Sequence, residues 1–90
     1  MKTEREKMVA GQFYIASDPE LRHMRKTARQ QMQVFNNELD GAKRSEILKT
    51  LFGKTGNRIY MEPNFYCDYG SNIHVGEDFY ANFNCTMLDV

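Results

Sequence analysis

The sequence predicts an α+β chain, helical through its first part and a solenoid of short strands after that. Two observations carry this reading. Up to about residue 57 the apolar residues recur at steps of three and four, the spacing of one helix face. From Pro63 onward they recur at steps of six, and Gly, Asn, Tyr and Phe crowd in as the helical period disappears. The change divides the 90 residues into an N-terminal helical region, 1–57, and a hexapeptide-repeat region, 58–90.

The first helix opens at Thr3-Glu4-Arg5-Glu6, a capping box in which Thr and Glu each satisfy a free backbone donor. It runs to about Ala10, and Gly11 suits the position after its end. The second helix begins at Ser17-Asp18-Pro19-Glu20, where Ser17 or Asp18 can cap and Pro19 fits the first turn. Leu21, Met24, Ala28, Met32 and Phe35 then form one apolar face, and Asn36-Asn37 ends it. Arg22, Arg25, Lys26 and Arg29 read as the solvated side of the same helix. A third helix follows Asp40-Gly41, with Ile47, Leu48, Leu51 and Phe52 inward and Gly53 as its stop.

The repeat is written in blocks Pro63–Asp68, Tyr69–His74, Val75–Tyr80, Ala81–Thr86 and Met87–Val90. The first positions (Pro63, Tyr69, Val75, Ala81, Met87) and the fifth (Cys67, Ile73, Phe79, Cys85) are mostly apolar. Self-similarity at a fixed period signals a solenoid whose repeats pack only on their neighbours. The rival is an antiparallel hairpin turning at Gly70-Ser71-Asn72 or Gly76-Glu77-Asp78, but the period-two alternation it needs is poor.

Composition narrows the function classes. With 41% hydrophobic and 27% charged residues the chain reads as globular, and with 12 acids against 12 bases its net charge is zero. Bulk electrostatics therefore offer no hold on nucleic acid or a membrane surface. No apolar run approaches the roughly 20 residues of a membrane span, and Met1 to Ala10 lacks the apolar stretch of a secretory signal. Cys67 and Cys85 have no CxxC partner, so they read as reduced thiols of a cytoplasmic protein, with neither a disulfide framework nor a metal site.

Several stretches resemble the maltose/galactoside O-acetyltransferase family, and the maltose branch in particular. Asp68-Tyr69-Gly70-Ser71-Asn72-Ile73-His74-Val75-Gly76 looks like the start of that family's left-handed parallel β-helix. Phe79-Tyr80-Ala81-Asn82-Phe83-Asn84 is similar to its most recognisable stretch. Glu6-Lys7-Met8-Val9-Ala10-Gly11 with Phe13-Tyr14 resembles its N-terminal helical cap. The resemblance spans the chain. It implies a three-helix cap (1–57) followed by the first turns of the β-helix (58–90), in a homotrimer that moves an acetyl group from acetyl-CoA to a sugar hydroxyl.

That chemistry needs a base for the hydroxyl proton and a donor for charge developing on the thioester oxygen. The family's base is a histidine followed by proline. The 90 residues contain no such pair; His23 and His74 match neither position. The chain is thus expected to be the N-terminal part of the enzyme, inactive alone. Asn82 matches the family asparagine beside the reacting atoms, a catalytic donor that also touches acetyl-CoA. The resemblance puts Tyr80, Asp68, Asp89 and Asp18 at the sugar. This chain has Asp89-Val90 where some members carry two acids, and Asp18 stands in a slightly different register from the family's cap aspartate. Two other readings are a non-catalytic interaction module and another β-helix acyltransferase, for example one acting on serine.

If three hexads make one triangular coil, as in the family, Cys67 stacks on Cys85, Tyr69 on Met87 and Gly70 on Leu88. The thiols would then be buried one strand spacing apart, and Phe79 and Met87 would be left at an uncovered apolar end.

Overall fold

The computed structural model describes residues 2–90. Helix α1 is Glu4–Val9, α2 Pro19–Asn37 and α3 Gly41–Leu51. Each starts where its capping chemistry puts it. Thr3 Oγ1 accepts from the Glu6 N–H at 3.1 Å while Glu6 Oε1 accepts from the Thr3 N–H at 3.1 Å, the reciprocal capping box. Asp18, rather than Ser17, caps α2 by accepting from the Glu20 N–H, with Pro19 in the first turn. Asp40 caps α3 through the Ala42 N–H at 2.8 Å. Among the described residues no helix is long and apolar enough to cross a membrane.

Four short strands follow: β1 Ile59–Met61, β2 Phe65–Cys67, β3 Phe79–Ala81 and β4 Cys85–Met87. β1 pairs parallel with β3, and β2 parallel with β4. A parallel bridge joins Lys54 to His74. The parallel pairing removes the hairpin alternative. Side chains alternate along each strand: Ile59, Met61, Phe65 and Cys67 are buried, while Tyr66 and Tyr80 point outward.

The register corrects the stacking expected from the hexads. Lys54 pairs with His74, Ile59 with Phe79 and Phe65 with Cys85, so the chain returns after 20 residues and not 18. Cys67 therefore lies opposite Met87, and Phe65 opposite Cys85. Two residues out of register along a strand, beside one strand spacing, sets the cysteine Cα atoms about 8 Å apart, beyond the disulfide range. Both thiols are free. Tyr69 and Gly70 likewise do not stack on Met87 and Leu88. The cause lies in the segment from Phe65 to His74. Lys54 to Ile59 takes five residues and Ile59 to Phe65 six, but Phe65 to His74 takes nine. The loop 68–72 holds the excess, tied down by Asp89 as described below.

The core lies where α2 and α3 cover β1 and β2. Phe65 is fully buried between Phe35 of α2 and Phe52 at the end of α3, edge-to-face with both at centroid distances of 6.3 and 5.6 Å. Leu48, Leu51, Met32 and Ala28 complete it. Ile47, expected inward, is only half-buried. A smaller cluster of Met8, Leu21 and Tyr69 fastens α1 and the start of α2 to the 68–72 loop. Phe79, Ala81, Cys85 and Met87 are half-buried along the β3–β4 side.

The helices also satisfy the backbone of the first strands. The Asn36 side chain donates to the Phe65 carbonyl at 3.1 Å and accepts from the Phe65 N–H at 2.8 Å, as a neighbouring strand would. Ser45 Oγ donates to the Ile59 carbonyl at 2.6 Å, and the Cys67 N–H donates to Met32 Sδ at 3.0 Å.

Removing the Asn36 amide leaves two β2 backbone groups unpaired. Asn36→Ala is expected to cost about 1–3 kcal/mol in urea unfolding, whereas exposed Asn37→Ala stays within about 0.5 kcal/mol of the parent. Equal losses at the two positions would show that the Asn36 amide does not serve β2.

Candidate functional site

The short strands present two outward faces, and the residues singled out from sequence divide between them. The first face is that of β2 and β4. Between it and α2 runs an open groove of about 570 Å³. Arg29, Gln33 and Asn37 line it from α2, and Tyr66, Asp68 and Thr86 from the strand side. The groove thus offers a guanidinium, amides, hydroxyls and a carboxylate together, donors and acceptors both.

Asp68 reaches this groove because the loop behind it is fixed. Asp89, only 9% exposed, accepts through Oδ1 from the N–H groups of Asp68 at 3.1 Å and Tyr69 at 2.9 Å, and through Oδ2 from that of Asn72 at 3.3 Å. Asn72 Nδ2 donates back to the Asp89 carbonyl at 2.9 Å. From the helical side Arg25 Nη1 donates to the Tyr69 hydroxyl at 2.9 Å. A buried carboxylate with three backbone donors forms charge-assisted hydrogen bonds, the strong kind. Asp89 therefore serves the loop that carries Asp68.

The second outward face is that of β1 and β3. Tyr80 is 60% exposed there and stacks on Tyr60 of β1, centroids 5.5 Å apart with 12° between the ring planes. Asn82 lies two residues on, exposed at the corner between β3 and β4. Asp18 sits apart from all of these as the cap of α2. His23 is exposed on α2, and His74 is exposed beside Lys54. Asp68 and Asp89 are thus brought together, Tyr80 and Asn82 lie two residues apart at the end of β3, and Asp18 joins neither pair. Among the described residues no three His, Cys, Asp or Glu side chains converge as a metal would require.

Sequence reading missed the α2 contribution. Arg29 is exposed on the solvated side and Asn36 lies at the helix end, as the sequence indicates, but Arg29, Gln33 and Asn37 also follow one another at four-residue steps along one side of α2 and line the groove. That polar stripe beside the apolar one was the available signal. Tyr60 gave no signal, because its partner is 20 residues away.

Cys67 forms part of the groove wall. Burial, and then the neighbouring carboxylates of Asp89 and Asp68, push its thiol up to about 12 from an ordinary 9.0. It stays protonated at neutral pH and acts as a small core side chain, not a nucleophile.

Residues 7–56 match the family model described as the maltose acetyltransferase hexapeptide capping motif. A candidate acetyltransferase of Dictyostelium discoideum is 53% identical over 88 residues, which cover 98% of this chain and 46% of that protein. The maltose O-acetyltransferase of Clostridium difficile 630 superposes with a TM-score of 0.94 at 47% identity, over 98% of this chain and 48% of its own. A hexapeptide-repeat acetyltransferase of Vibrio cholerae O1 biovar eltor, complexed with acetyl-CoA, superposes with a TM-score of 0.88 at 32% identity over 98% and 48%. The chain spans about half the length of the curated relatives it matches.

The raised Cys67 pKa fixes a pH dependence. A thiol whose folded pKa lies above its unfolded value favours the folded state while protonated. The stability is complete below about pH 9 and is lost as pH rises toward about 12. Thermal stability is expected to fall more steeply across that window in the parent than in Cys67→Ala. Identical slopes would show that the thiol is not shielded.

Proposed function

The chain belongs to the maltose acetyltransferase family, and from that premise we propose that the protein transfers an acetyl group from acetyl-CoA to a hydroxyl of a sugar of the maltose, glucose or galactoside class. The observation that carries the reading is the close likeness to a maltose O-acetyltransferase over nearly all of these residues. The bound acetyl-CoA of the Vibrio cholerae neighbour supports the donor.

In this reading the parallel pairs β1–β3 and β2–β4 are the first coil, and part of the second, of a left-handed parallel β-helix. Residues 1–57 cap its first edge. The exposed amide of Asn82 donates to the oxygen on which charge develops as the sugar hydroxyl attacks the thioester carbonyl. A fixed donor aimed there lowers the barrier more than it tightens ground-state binding. Tyr80 lines the acceptor sugar. Asp68 accepts from its hydroxyls in the groove, where the planar amides and Arg29 suit a neutral polyhydroxylated molecule. Asp89 acts through the loop it holds, and Asp18 through the helix it caps. Neither exposed His23 on α2 nor exposed His74 lies with Asn82 at the corner after β3, so neither is the base that takes the hydroxyl proton in this reading. Tyr80 and Asp68 occupy different outward faces. That division favours sites completed between neighbouring copies, in a homotrimer. Two free thiols fit a cytoplasmic protein.

The test is CoA release from acetyl-CoA in the presence of maltose, glucose or a galactoside. The protein encoded by the gene is expected to turn over at least one of them, and the 90-residue chain by itself none above a no-protein blank. No turnover of any sugar by the encoded protein would overturn the reading.

In that protein Asn82→Ala is expected to lower kcat by about 10²–10³ with a smaller change in the acetyl-CoA KM. Wild-type kinetics would make Asn82 a corner residue only.

A further inference from the structure

Tyr60 is held more firmly than an outward-facing strand residue requires. Its hydroxyl accepts from Arg44 Nη2 at 2.9 Å and donates to Glu62 Oε1 at 2.7 Å. Arg44 is itself 6% exposed, and its Nη1 donates to the Glu38 carbonyl at 2.9 Å. One side of the ring meets Gly41 at the start of α3, where an added Cβ would stand 3.0 Å from Tyr60 Cε2. Ser45, one turn further along α3, fixes the Ile59 carbonyl just before it. The ring also stacks on Tyr80. A buried arginine in contact with a tyrosine hydroxyl and a main-chain carbonyl costs desolvation, and the fold retains it at this one ring. The Glu62 carboxylate, as the main cause, raises the Tyr60 phenol above its ordinary value.

Among the described residues Tyr80 has no comparable support. It is 60% exposed on β3, and its described aromatic neighbour is Tyr60. An exposed tyrosine retains rotamer freedom unless something restrains it. We propose that Tyr60, clamped by Arg44, Glu62 and Gly41, is a positioning residue that fixes the Tyr80 ring for the acceptor sugar. The inference rests on the sugar-acetylation reading above. Tyr60 touches neither substrate and acts only through its neighbour. Restraint of Tyr80 concerns the sugar and not acetyl-CoA, which separates this role from general support of the fold. Part of the helical cap thus sets acceptor binding from a distance.

In the encoded protein, Tyr60→Ala is expected to raise the sugar KM about 3–10-fold, the worth of one aromatic pair, with the acetyl-CoA KM unchanged. Tyr60→Phe, which keeps the stacked ring, restores most of the sugar affinity. Gly41→Ala pushes the ring from the other side, raising the sugar KM while improving helix propensity. An unchanged sugar KM in Tyr60→Ala, or equal rises in both KM values, would overturn the proposal. If the parent acetylates no sugar, the functional reading has failed, and the positioning claim is decided on the 90-residue chain by NMR. There the Tyr80 ring signals, assigned by their loss in Tyr80→Phe, should move to solvent-exposed positions in Tyr60→Ala while the core signals stay. Unmoved Tyr80 signals would overturn the claim on their own.

Discussion

Among the described residues strands β1 and β2 each pair with one neighbouring strand, and their other edge must be satisfied by something that is not a strand. An open edge is a row of unmet donors and acceptors that invites pairing with another chain. Here two helices close it with side chains. The Asn36 amide meets both groups of Phe65, Ser45 meets the Ile59 carbonyl, and Met32 sulfur takes the Cys67 N–H. Much of the remaining architecture follows from this. To reach the strand edge, α2 and α3 must lie against it, which carries Phe35 and Phe52 onto Phe65. Hydrogen bonding fixes where the helices sit, and apolar burial supplies most of the stabilisation that keeps them there.

The same contact shapes the two outward faces. With α2 laid along β2, its polar stripe of Arg29, Gln33 and Asn37 forms one wall of the groove that Asp68 enters from the other side. With α3 laid along β1, Gly41 and Arg44 reach Tyr60 and stiffen the ring behind Tyr80. The helical region therefore does more than cover an edge, since each long helix also builds part of one face. The acidic residues divide their work. Asp89 is spent on three backbone donors, whereas Asp68, Tyr80 and Asn82 keep polar atoms directed outward. Most buried polar groups in a fold are paired, and the groups left over on the surface are those available to a ligand.

The sequence by itself determined most local features, though not the burial of Ile47 or which of Ser17 and Asp18 caps α2. Capping chemistry and apolar spacing located the three helices, because Thr3, Asp18 and Asp40 act on amides two or three residues away. The six-residue period argued against an antiparallel hairpin, and the strands do pair parallel. The motifs around Asp68 and Asn82 identified the family. Tertiary structure alone decided the register, the groove and the clamp on Tyr60. A hexad count assumes equal turns, but Asp89 gathers the amides of Asp68, Tyr69 and Asn72 into a longer one, and that shifts the cysteines out of line. Contacts between residues 20 or more apart, such as Asn36 with Phe65 or Tyr60 with Tyr80, leave no periodic trace. They depend on how separate elements meet, and a single sequence records the elements more plainly than their meeting.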